Sequence, residues 1–88
     1  MERQQITIET LERNGFKSDD GTFRWFRADN DSYYTGYESV CVDLTKGYID
    51  VTKEYRNGKQ KQVRGELFWF VDELQTALTL CDINKTIL

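Results

Sequence analysis

Apolar residues recur at steps of three and four through Phe70, Val71, Leu74, Ala77, Leu78 and Cys81, while Asp72, Gln75, Thr76 and Thr79 fall on the other side of the same projection. That period predicts an amphipathic helix starting after Phe70, with a dry side that needs a partner and with Asp72 and Glu73 in the first turn, where the helix dipole favours acids. A shorter helix is predicted over residues 6–16. There Thr7 can cap the backbone, Ile6 and Leu11 have the spacing of a hydrophobic staple, and Gly15 suits a left-handed stop. Its apolar side is Ile8 and Leu11, with Phe16 folding back.

Between the helices the period changes to two. Thr22 to Arg27 reads as an aromatic-rich strand, Val40, Val42 and Leu44 share one face of the next, and Ile49 and Val51 share a face of the one after it. A two-residue Lys46-Gly47 turn aligns these last two sets. A further strand, from about Lys61 to Trp69, has Val63, Leu67 and Trp69 on one side. Parity then decides the hairpin before it. An Asn57-Gly58 two-residue turn would put Val63 on the face opposite Val51, so the expected loop is the three residues Arg56-Asn57-Gly58, with Gly58 in the left-handed bulge position. Lys17 to Gly21 is expected to be a turn-rich connection, Asp29 to Gly36 a loop, and Lys85 to Leu88 a tail or short edge segment. The predicted fold is α+β: a two-layer sandwich in the order α-β-β-β(-β)-α, an antiparallel sheet with both helices on one face, and residues 1–88 a single domain.

Composition narrows function mainly by exclusion. With 88 residues, 39% of them hydrophobic, one modest core is possible. A net charge of −3 with both signs interspersed is unlike a basic nucleic-acid-binding domain, and the polar start with no long apolar run makes the cytoplasm the default expectation, with no membrane contact. Two cysteines and no histidine cannot complete a four-ligand zinc site in one chain, so Cys41 and Cys81 read as reduced packing residues. Asp29-Asn30-Asp31 opens like a calcium loop, but Tyr34 stands where its glycine belongs and Val40 where its closing glutamate belongs. Neither Asp19-Asp20 nor Asp72-Glu73 converges on one substrate atom, and no glycine-rich phosphate loop occurs. The expectation is therefore no enzyme, with no catalytic residue, cofactor or metal.

Thr7 to Phe16 and Val71 to Ile83 resemble the ends of short uncharacterised proteins carried by phages and mobile elements of gut bacteria; the match covers about a quarter of the chain. That family tends to have glycine where this chain has Asp82. The resemblance implies a compact accessory protein and no catalytic residues. The element order is also similar to that of double-stranded RNA-binding domains, but Phe70-Val71-Asp72-Glu73 stands where those present lysines, and acids there repel phosphate.

Two features stand out from this background. Lys53, Arg56, Lys59, Lys61 and Arg64 cluster in one hairpin against Glu54 alone, and lysines of this kind commonly guard exposed strands against edge pairing. Aromatic residues also exceed what one sheet face can hide. The first expectation is a nonenzymatic protein acting through protein–protein interaction, with a protein partner or with a second copy of itself as a homodimer, by the sheet face the helices leave bare. The alternative is a single-stranded nucleic-acid-binding module, with Arg24, Trp25, Arg27, Tyr33 and Tyr34 stacking bases and Lys53, Arg56, Lys59, Lys61 and Arg64 following the backbone.

Overall fold

The computed structural model describes residues 4–28, 36–66 and 70–88. Seven elements follow in order: α1 (Ile8–Arg13), β1 (Lys17–Asp19), β2 (Thr22–Ala28), β3 (Tyr37–Asp43), β4 (Tyr48–Glu54), β5 (Gln60–Glu66) and α2 (Val71–Leu80). The strands form one antiparallel meander, β1-β2-β3-β4-β5, and the two helices pack on one face of it, as the α+β pattern predicts.

Local chemistry accounts for the helix ends. Thr7 Oγ1 accepts from the Thr10 N–H at 3.1 Å, and Ile6 and Leu11 are both buried, as a staple requires. Past α1, Gly15 takes φ +87° while Phe16 N–H reaches back to the Leu11 carbonyl at 3.0 Å. This six-to-one closure is the Schellman stop. Helix α2 ends the same way, with Ile83 N–H on the Leu78 carbonyl at 2.9 Å, but the left-handed position is filled by Asp82 at φ +56°. Ile8, expected on the apolar side, is 54% exposed. Leu11 is buried as expected, and Thr10 and Asn14 join it in place of Ile8, because the short helix turns the face of residues 10, 11 and 14 to the core.

Across the sheet, Phe23, Val42, Ile49 and Gly65 form one row and Trp25, Val40, Val51 and Val63 the next, all toward the helices. Leu74, Ala77, Leu78, Cys81, Ile83 and Ile87 cover them. The second hairpin follows the parity argument: Tyr55 N–H donates to the Lys59 carbonyl at 2.8 Å, Gly58 N–H to the Tyr55 carbonyl at 2.9 Å, and Gly58 has φ +88°. The first differs in register. Asp43 pairs with Tyr48 across a four-residue loop, 44–47, rather than across a two-residue Lys46-Gly47 turn. The slip is two residues, so every side chain keeps its face, and Leu44 packs at the core margin from the loop.

Strand β1 has no counterpart in the sequence-based expectation. Its three residues are polar and exposed, which erases any periodic signal. The informative feature was the Asp20-Gly21 dipeptide, both residues at positive φ in a two-residue turn joining Asp19 to Thr22. Residues 83–88 form no strand. Ile83 and Ile87 are buried, Ile87 N–H donates to Gln75 Oε1 at 2.8 Å, and Arg13 Nη2 donates to the Leu88 main-chain oxygen at 2.8 Å, so the tail is stitched to both helices.

Candidate functional site

The third row of the helix-facing side is charged. Register aligns Arg27, Glu38, Lys53 and Lys61 across four strands, one step beyond the valine row. The Glu38 side chain is 2% exposed and that of Lys53 10%. Glu38 accepts from Arg27 Nε at 2.6 Å and from Arg27 Nη2, while Lys53 Nζ lies 3.4 Å from its second oxygen. A carboxylate this deep survives only because two cations meet it.

Asp82 closes the row from the end of α2. Its main-chain oxygen accepts from Lys53 Nζ, and its carboxylate accepts from Lys61 Nζ at 2.5 Å and from the Tyr55 hydroxyl at 2.8 Å. These bonds explain why an L-residue occupies a position glycine would take more comfortably: the left-handed turn aims its carboxylate at β4 and β5. The hydrogen bond from Lys61, then that from Tyr55, holds the Asp82 carboxyl below the ordinary aspartate range. The same contact raises both donors, Lys61 and Tyr55.

A depressed carboxyl contributes stability above its unfolded-state pKa and loses it as pH falls through the lower folded value. The loss should therefore begin near the ordinary value of 3.8 and be complete below it. Asn tolerates the left-handed turn without a titrating charge. We expect the urea-unfolding stabilities of the native protein and Asp82→Asn to differ at neutral pH and to converge in acid; a constant gap would show that the charge plays no part.

Trp25 lies in the valine row and not on the bare face, because register sets it opposite Val40. Lys85 Nζ sits 4.9 Å and the Arg27 guanidinium 5.3 Å from its ring centroid. Burial, then repulsion from Arg27, lowers the Lys85 pKa. The bare face has Arg24, Cys41, Asp50 and Arg64 in one row and Phe26, Ser39, Thr52 and Gln62 in another. Arg24 lies 3.6 Å from Asp19 and Arg64 3.1 Å from Asp50. Phe26, 63% exposed, stacks on Tyr37 at 5.9 Å.

The ten candidate contacts thus separate. Arg24 and Arg64 face the bare side; Trp25, Arg27, Lys53 and Lys61 face the helices; Arg56 and Lys59 are exposed in the second hairpin region; Tyr33 and Tyr34 lie outside the described residues. Phe68 and Trp69 also lie outside them. Among the described residues the bare face holds only Phe26, Tyr37 and Tyr48 as aromatics, so the expected aromatic platform is reduced to one stacked pair and a tyrosine.

Burial raises the pKa of both Cys41 and Cys81, which keeps them protonated near neutrality. Among the described residues no group of three or more potential ligands could hold a metal ion, and no helix is long and apolar enough to cross a membrane. No family model matches the chain, and neither a curated protein nor a solved structure is similar to it.

Proposed function

We propose that the chain is a nonenzymatic accessory protein that acts through protein–protein contact, with self-association as its first property. The observation that supports this is a sheet left open on one side: no described residue of either helix covers the face bearing the Phe26–Tyr37 pair, and β5 ends the sheet with no described strand beyond it. An open strand edge is a ready template for pairing with another chain, and exposed aromatic surface marks contact sites. Single-stranded nucleic acid fits the geometry less well. Arg27 and Lys53 meet Glu38, Lys61 meets Asp82, and Arg64 meets Asp50, so the cations of the basic hairpin and its neighbours are largely met by acids of the same chain.

Light scattering at several concentrations is the test. We expect a mass twice that of the 10.4 kDa chain at micromolar concentration. A single-chain mass throughout would overturn self-association. Salt-sensitive binding of a short single-stranded DNA would favour the other reading.

A further inference from the structure

The structure points to the outer edge of β5 as the place where a second copy docks. This rests on the self-association proposed above and narrows it to one strand. The hairpin decides which backbone groups are available. Tyr55 and Lys59 are a hydrogen-bonded pair, and such pairs alternate along an antiparallel ladder, so Lys61, Val63 and Gly65 also direct their N–H and C=O groups to β4. Gln60, Gln62, Arg64 and Glu66 then aim theirs outward, along a seven-residue strand whose outer edge no described residue pairs with. No proline interrupts it.

A two-fold axis through Val63 uses the whole strand. Gln60 then faces Glu66 of the partner copy, Lys61 faces Gly65, Gln62 faces Arg64, and Val63 meets its own counterpart. No like charges oppose one another, and all four outward residues fall at bonded positions. Other axes fit worse: on Lys61 or Arg64 they set two cations face to face, and on Gln62 they set Val63 against a lysine. The axis on Val63 has room as well. A Cβ placed on Gly65 meets no atom within 4 Å, which leaves space for the Lys61 stem opposite it. On the helix side, Val63 is only half-buried, and a cleft of 280 Å³ lies over β4 and β5, lined by Ile49, Val63, Ala77 and Leu80 together with Glu66, Glu73 and Thr76. Leu80 is 63% exposed there. A second valine at the axis extends this apolar surface. The product is an isologous dimer in which the two sheets run on as one, with helices on a common side.

Gln62→Pro tests the assignment, because it deletes an outward N–H and leaves the β4–β5 ladder intact. Two hydrogen bonds disappear across the axis, so the dissociation constant read by light scattering should rise about thirtyfold, with the circular dichroism spectrum unchanged. Gln60→Glu, which places an acid opposite Glu66, covers the case in which the proline variant misfolds: dimerisation should weaken several-fold and return when Glu66→Lys is added. If the native chain is a strict monomer, the self-association reading fails and takes this one with it. If it dimerises and both Gln62→Pro and Gln60→Glu leave the constant unchanged, the edge is not the contact while self-association stands; loss of the dimer in Phe26→Ser instead would place it on the bare face.

Discussion

Replacing Leu78 by alanine is expected to remove about 3 kcal/mol of stability, a large share of the 5–15 kcal/mol typical of a domain. Leu78 is fully buried, on the α2 face that closes over the valine rows, and its carbonyl also receives the Ile83 N–H that stops the helix. The lost methyl groups forfeit their transfer free energy, and a cavity remains because a sheet on one side and a helix backbone on the other limit collapse. Thermal unfolding should move down by about 15 °C for a chain of this size. Urea unfolding would show the midpoint shifting at constant slope. A loss under about 1 kcal/mol would mean that the two layers relax together, and that α2 is held chiefly by its ends.

Glu38→Ala should cost nearly as much, for a different reason. Its carboxylate is the acid between Arg27 and Lys53, and Lys53 is itself almost wholly enclosed. Truncation leaves a buried ammonium without a carboxylate at its side, held by the Asp82 carbonyl and the Tyr55 ring 5.2 Å away, and breaking such a pair typically costs about 3 kcal/mol. The Arg27 arm adds little, since that side chain is 46% exposed and water screens it. The informative comparison is the double variant Glu38→Leu with Lys53→Leu. Because a buried ion pair gains little over an apolar pair of similar volume, the double variant is expected to recover most of the single variant's loss in urea unfolding. Equal losses in the single and double variants would show instead that the pair contributes through packing of its stems.

These two sites also differ in how legible they were beforehand. Leu78 could be placed in the core from spacing alone, since helical period is a property of neighbours within one turn or two. The same holds for the Thr7 cap, the Gly15 stop and the three-residue loop ending in Gly58, where local backbone geometry and strand parity leave one consistent answer. Alternation likewise put Val40, Val42, Ile49 and Val51 together, and it survived a two-residue error in register because the period of a strand is two.

Only the folded chain settles which polar groups meet across strands. Arg24, Trp25 and Arg27 are neighbours in sequence, yet the pleat sends Arg24 to the bare face and the other two to the helices. Lys53 stands out only as part of the basic hairpin and Glu38 carries no signal until the register of three strands sets them beside Arg27, and Asp82 joins them only because α2 ends above β4 and β5. Ile8 was misplaced for a related reason: a six-residue helix has too few turns to define its own buried face, so the sheet beneath it chooses. Charge pairing depends on distance in space, which a one-dimensional period does not encode, whereas the apolar faces and chain reversals depend on residues close in sequence. Neighbouring residues were therefore enough for every element but β1, for the strand faces and for most of the ends; the buried ionic row and the open β5 edge arise from the packing of the whole chain, because they depend on which strands lie side by side.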